Sequence, residues 1–106
     1  MPKVLIVNKG LHDYTSAKEF GSLVSLTEGT HSRVNVTQMV RSMGATIEAS
    51  SPEDWLLISG TTVINCVACT LFALRHGRLN LLIHTARENM YVPRTLSFKR
   101  GPTWNP

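Results

Sequence analysis

Polar residues and a glycine follow three of the predicted strands of this chain in a similar way. The segments are Asn8-Lys9-Gly10, Thr27-Glu28-Gly29 and Ser59-Gly60-Thr61. Glycine lets a ligand approach the backbone closely, and the free N–H groups at the start of a following helix attract anions. Parallel strands end at one edge of a sheet, and open α/β folds bind their ligands outside that edge. The repeated ending therefore predicts a site for a phosphate-bearing ligand.

The third segment has the most suitable chemistry for holding phosphate. Ser59, Thr61 and Thr62 supply hydroxyl groups at the start of a predicted helix, and Asn65 lies about one turn further on. Backbone N–H groups near Gly60 complete the expected cradle. We expect Asn65 to fix the orientation of the ligand.

Charged and aromatic side chains near the first two segments suit the same ligand. Arg33 and Lys9 would neutralise phosphate charge, and Tyr14 would stack on a base. His31 is the candidate for a general base, whereas nearby carboxylates are too few for paired acid–base catalysis. The complete predicted site consists of Asn8, Lys9, Gly10, Tyr14, Glu28, Gly29, His31, Arg33, Ser59, Gly60, Thr61, Thr62 and Asn65.

Structural explanations compete with these functional ones. Any one strand-to-helix turn needs glycine and a capping hydroxyl for purely local reasons. Neither of the common nucleotide-binding glycine motifs occurs in the chain. Cys66 and Cys69 form a CxxC pair inside an apolar helix, away from the exposed helix start that redox chemistry requires, so we expect them to be core residues. The sequence predicts no metal and no cofactor.

The order of the elements predicts an α/β fold. Apolar runs indicate strands near residues 3–8, 22–27, 55–58 and 79–83, and residues 91–98 are expected to return as an antiparallel edge strand. One helix begins after Asn35 with a stripe of Val36, Met39, Val40, Met43 and Ile47, and a second runs from Thr61 or Thr62 to His76 before Gly77. Helical crossovers require parallel strands. The prediction is a mostly parallel sheet of four or five strands with two main helices.

Length and composition set the scale of the protein. The chain has 106 residues, of which 42% are hydrophobic and 17% charged, so we expect one globular domain over residues 1–100 and a flexible tail over 101–106. No apolar run approaches the roughly 18 residues that a membrane span needs. We therefore expect a cytoplasmic protein without a membrane partner. The net charge of +4 is compatible with phosphate-bearing ligands and with nucleic acid, and it does not choose between them.

The second predicted helix is apolar on almost every face. Because an apolar helix surface must be covered, the pattern predicts a homodimer through this helix. Burial under the first helix is the alternative.

A basic C-terminal hairpin supports a different function. Nucleic-acid binding, or binding of a host protein, would use its cations, with Tyr91 and Phe98 as stacking faces. The cations are Arg78, Arg87, Arg94, Lys99 and Arg100.

Three blocks in the second half of the chain carry a resemblance to known proteins. The blocks Trp-Leu-Leu-Ile-Ser-Gly, Ala-Leu-Arg-His-Gly-Arg-Leu-Asn-Leu-Leu and Tyr-Val-Pro-Arg-Thr-Leu lie within residues 54–96. In these blocks the chain resembles small bacteriophage-encoded proteins. Its outline is also similar to small dimeric viral proteins that bind or cleave cyclic oligonucleotides, but their helix-opening catalytic histidine motif is not reproduced. The resemblance implies that the protein sequesters a nucleotide signal of the host; phosphodiesterase activity of the ring-nuclease type is the less favoured alternative.

Overall fold

Five strands form one sheet in the computed structural model, which describes residues 1–98. The strands are β1 (Lys3–Ile6), β2 (Ser22–Ser25), β3 (Trp55–Leu57), β4 (Arg78–Thr85) and β5 (Met90–Ser97). Their order across the sheet is β2-β1-β3-β4-β5. The first four strands are parallel, and β5 is antiparallel to β4 at the edge. The predicted α/β fold is confirmed, while the predicted tail lies outside the described residues.

Two α-helices and one 3₁₀ helix connect the strands. The α-helices are α1 (Val36–Glu48) and α2 (Thr62–His76), and the 3₁₀ helix spans Thr15–Phe20. As predicted, Asn35 caps α1, since its Oδ1 accepts a hydrogen bond from the Gln38 N–H at 3.1 Å. Gly77 ends α2 in the left-handed conformation. No helix within residues 1–98 is long and apolar enough to cross a membrane.

The two faces of the sheet are covered unequally. Both α-helices pack on one face, where Met43, Ile47 and Phe72 are fully buried against the strands. Among the described residues, only the short 3₁₀ helix and its preceding loop cover the other face, with Tyr14 and Ala17 in the core. The sheet thus has a thick side that supplies most of the apolar burial and a thin side that is open near its ends.

Parts of the predicted helix surfaces are more exposed than expected. Val36 and Val40 belong to the predicted apolar stripe of α1, yet they remain exposed beside α2. The expectation that both cysteines are core residues is wrong for Cys66, which is exposed. Cys69 is half-buried, and this burial raises the pKa of its thiol. Val36, Val40 and Cys66 are exposed because α1 and α2 meet along their inner edges and leave an apolar groove between their outer edges.

A buried polar network closes the end of the sheet where the parallel strands begin. The Asn80 amide donates to the carbonyl oxygens of Pro52 at 2.6 Å and Asp54 at 2.9 Å, and its Oδ1 accepts from Arg78 and Thr95. The buried Asp54 carboxylate accepts the Lys3 N–H at 2.8 Å. These bonds join β1, β4 and β5 to the loop before β3.

Replacing Asn80 with alanine is expected to lower the free energy of unfolding by about 1–3 kcal/mol, because buried carbonyl groups lose their donors. Chemical denaturation followed by circular dichroism measures the change. Thr95→Val is the control, since it removes only one hydrogen bond to the same amide oxygen. An equal loss of stability in both variants would contradict the central role of Asn80.

Candidate functional site

Asn8 joins the loops that follow the first three strands. Its backbone N–H donates to the Ser59 hydroxyl at 3.1 Å, and that hydroxyl donates back to the Asn8 carbonyl at 3.0 Å. Its side-chain amide donates to the Gly29 carbonyl at 2.9 Å, and its Oδ1 accepts from the Thr27 hydroxyl at 2.8 Å. The ends of β1, β2 and β3 are therefore one connected unit.

The chain order reverses at this unit. From β1 the chain passes to β2 on one side, and β3 lies on the other side of β1. The 3₁₀ helix leaves on one face of the sheet and α2 on the opposite face. Such a reversal opens a crevice at the carboxyl ends of the strands, which is where α/β sheets bind ligands.

A smaller hollow of about 230 Å³ lies on the α2 side of this crevice. It brings Gly29 and Gly60 together, as well as the start of α2, where the Thr61 hydroxyl makes no capping hydrogen bond. Six of the predicted site residues line it, together with Thr30 and Ile64: Asn8, Gly29, His31, Arg33, Gly60 and Thr61. Six of the eight residues that line the smaller hollow were thus among the predicted site residues.

Arg33 gives the smaller hollow its positive charge, and His31 lines the same hollow. His31 Nε2 lies 2.8 Å from the Glu28 carbonyl oxygen. Because a carbonyl oxygen only accepts, Nε2 carries the proton and Nδ1 is the free nitrogen. Arg33 is exposed and forms no ion pair with any residue of the described segment 1–98.

Gly60 separates the smaller hollow from a larger cavity. Its φ is +92°, and a Cβ at this position would lie 2.8 Å from the Asn8 Cβ. Any side chain would therefore clash with the residue that joins the strand ends. The absence of a side chain keeps the two spaces adjacent.

The larger cavity, of about 570 Å³, lies on the side of the 3₁₀ helix. Tyr14 is one of its walls and is buried, with its hydroxyl accepting the Gly10 N–H at 2.9 Å. Gly10 therefore lies beside this cavity and does not line the smaller hollow. The remaining lining residues are His12, Asp13, Thr15, Ser16, Leu57, Ile58, Ser59, Gly60, His84, Asn89 and Tyr91.

Sequence reasoning missed most of this larger cavity. His84 and Tyr91 face each other across the β4–β5 pair, and Asn89 is in the turn between the two strands. The predicted hairpin places these side chains next to one another, but only the strand order brings them to the loop after β1. The signal available in the sequence was the alternation of side chains along the two strands of the hairpin. Residues paired directly across the hairpin, such as His84 and Tyr91, point to the same face of the sheet.

Besides Gly10, four predicted site residues line neither space. Lys9 and Glu28 pair through their backbones, and their exposed side chains line neither space. Thr62 is exposed on the first turn of α2, outside both. The Asn65 amide is fully used: it accepts the Ser59 N–H at 3.1 Å and donates to the carbonyls of Ser59 at 2.9 Å and Thr61 at 2.8 Å. Asn65 thus holds the turn that positions Gly60.

The basic hairpin offers fewer free groups than its sequence indicates. The Arg78 guanidinium is bonded to Asn80, and Arg94 donates to the Pro93 carbonyl at 2.7 Å. Tyr91 is buried and turns toward the larger cavity. Arg87 and Phe98 are exposed, while Lys99 and Arg100 lie outside the described residues. Over residues 1–98, no three His, Cys, Asp or Glu side chains are grouped to hold a metal ion.

Gly60→Ala is expected to destabilise the fold by about 1–3 kcal/mol, because alanine would have to adopt a positive φ there and its Cβ would clash with the Asn8 Cβ. Thermal or urea unfolding measures the loss. Gly10→Ala is the matched control, since its Cβ would meet only ordinary contacts, at 3.7 Å from His12 and 3.9 Å from Tyr14. A Gly60→Ala protein as stable as the control would show that the approach to Asn8 is not constrained.

Comparison with known proteins places the chain among proteins of bacterial viruses. No curated protein and no solved structure gives a significant match. The predicted resemblance to small bacteriophage proteins is confirmed by a family model that matches residues 2–98. The chain belongs to the family described as Phage Pam3 gp32-like protein.

Proposed function

We propose that this protein binds a phosphate-bearing small molecule, of nucleotide type, at the carboxyl ends of β1 and β3. The observation that carries the proposal is the meeting of two spaces at Gly60, of which the smaller is lined by Arg33 and by residues at the start of α2. A ligand with one anionic end and one larger organic part matches this arrangement.

The smaller hollow suits phosphate for two reasons. Arg33 carries a guanidinium without an acidic partner in the described segment, and such a group bonds phosphate oxygens in pairs. The first turn of α2 adds N–H groups and the positive end of the helix dipole.

The larger cavity suits the remainder of a nucleotide. Its volume of about 570 Å³ lies in the range of about 300–1,000 Å³ that is typical of small-molecule sites. Its walls combine aromatic rings with polar side chains. The net charge of +4 adds a favourable long-range potential for an anionic ligand.

The same geometry favours binding over turnover. Among residues 1–98, His31 is the only titratable side chain besides Arg33 that lines the smaller hollow, and paired acid–base catalysis at the phosphate needs a second proton donor or acceptor positioned there. A phage protein that binds without turnover would sequester a nucleotide signal in the cytoplasm of its host.

Nucleotides, cyclic dinucleotides and pyrophosphate are to be screened by thermal shift. At a ligand concentration of about 100 times Kd we expect the Tm to rise by roughly 10 °C, because the ligand binds only the folded state. Arg33→Ala is expected to weaken binding by about 10–100-fold, and Thr61→Arg to abolish the shift by filling the hollow.

Arg41→Ala is the matched control, since Arg41 is an exposed arginine of α1 that lines neither space. The proposal fails if no phosphate-bearing compound shifts the Tm. It also fails if Arg41→Ala and Arg33→Ala weaken binding equally.

We also infer that the protein is a homodimer through the outer edges of α1 and α2. An apolar groove of about 300 Å³ runs between them, lined by Val36, Val40, Val63, Cys66, Val67, Thr70 and Leu71. Val36 is 46% exposed and Val63 37% exposed, which is unusual for neighbouring apolar side chains in one patch. A second copy with the same groove would cover it.

Sedimentation equilibrium is expected to give twice the monomer mass of 11.8 kDa. Val40→Asp places a charge in the groove and should shift the protein to the monomer. Thr37→Asp, on the same helix but outside the groove, should leave the dimer intact. A wild-type protein that remains a monomer at high concentration contradicts the inference.

A further inference from the structure

The two spaces at Gly60 differ in charge. Among residues 1–98, the smaller hollow is lined by the Arg33 guanidinium and by no carboxylate. In the same part of the chain, the larger cavity is lined by the Asp13 carboxylate and by neither lysine nor arginine. This difference in charge favours the smaller hollow for a phosphate group.

The Tyr91 hydroxyl is an unused polar group of the larger cavity. Tyr91 is only 8% exposed, and its hydroxyl has no hydrogen-bond partner within residues 1–98. In that part of the chain every fully buried side-chain nitrogen or oxygen atom has a partner. The hydroxyl must therefore reach open space, and the space that Tyr91 lines is this cavity. Burial, and then the nearby Tyr14 and Asp13, raise the pKa of Tyr91, so the hydroxyl keeps its proton.

Other rings line the larger cavity together with Tyr91. The His84 ring lies 5.2 Å from the Tyr91 ring at an angle of 54°, and its Nε2 is 3.0 Å from the Asn89 Oδ1. The His12 ring lies 6.2 Å from the Tyr14 ring. Such a row of rings offers faces and edges to a planar ligand group.

Asp13 supplies a fixed acceptor at the same cavity. Its Oδ1 accepts the Thr15 N–H at 2.9 Å and the Thr15 hydroxyl. These bonds lower the pKa of Asp13, so the side chain stays ionised. The other oxygen, Oδ2, has no partner within the described segment 1–98.

We infer that the larger cavity binds the nucleobase of the ligand and that guanine is the base it prefers, because the cavity combines aromatic walls, the free Tyr91 hydroxyl and the Asp13 carboxylate. This inference rests on the proposed function for its phosphate end. Guanine presents two adjacent N–H donors on one edge, which suit the two free acceptors of the cavity, Asp13 Oδ2 and the Tyr91 hydroxyl oxygen. Adenine and cytosine present a donor beside an acceptor, and uracil presents one donor between two acceptors.

The proposed orientation follows from Gly60, which lines both spaces. The base lies against the rings of the larger cavity, and the phosphate passes Gly60 to reach Arg33 and the first turn of α2. A side chain at residue 60 would stand between the two parts of the ligand. The cavity thus deepens the proposed function by naming the base.

Isothermal titration calorimetry with GMP, AMP, CMP, UMP, guanosine and pyrophosphate tests the inference on the full chain. We expect GMP to bind about 10–100-fold more tightly than the other three mononucleotides. Asp13→Asn should reduce this preference, because asparagine keeps the bond to the Thr15 N–H but loses the free anionic oxygen. Glu88→Gln removes an equal charge from a residue that lines neither space and should change nothing.

Tyr91→Phe tests base binding in the larger cavity separately from phosphate binding in the smaller hollow. It should weaken the binding of GMP and guanosine several-fold and leave the binding of pyrophosphate unchanged. It should also keep the Tm, because the hydroxyl has no partner within residues 1–98. If pyrophosphate binds but the four mononucleotides bind equally, the inference about the base is overturned and the phosphate site stands. The opposite result is that the wild-type protein binds guanosine but not pyrophosphate and that Tyr91→Phe loses guanosine binding. This result supports the base site in the larger cavity and overturns the phosphate site.

Discussion

The site depends on the hydrogen bonds of one residue, Asn8. Its backbone and side chain hold the ends of β1, β2 and β3 together through Ser59, Thr27 and Gly29. Because these bonds share members, loss of one weakens the alignment of the others. The close approach of Gly60 to Asn8 then determines that the two spaces meet without a side chain between them.

The two ends of the sheet use their polar groups differently. At the end where the parallel strands begin, Asp54 and Asn80 are buried and satisfied by partners in the fold. At the opposite end, the Tyr91 hydroxyl and the Arg33 guanidinium have no partner in the described segment. A satisfied buried network stabilises one arrangement of the chain, whereas groups left free at a cavity retain the capacity to bind something else. This contrast separates the structural end from the candidate site.

Much of the fold was predictable because its signals are local. The Asn35 cap, the left-handed Gly77 and the five strand segments each follow from residues within a few positions of one another. The walls of the smaller hollow were predictable for a related reason: strand ends that share a direction meet at one edge. The role of Asn65 was not, since the same amide could face a ligand or the turn, and the turn takes all its bonds.

The amino-acid sequence by itself determined the element order, the parallel sheet with its antiparallel edge, and the glycine-rich ends of the strands, because hydrophobic period and turn chemistry act over short separations. Only the tertiary structure decided that the loop after β1, the end of β3 and the β4–β5 turn enclose one cavity. Those segments are far apart in the chain and meet through the strand order β2-β1-β3-β4-β5. The direction of a single side chain, such as Tyr91 turning inward, depends on that long-range packing.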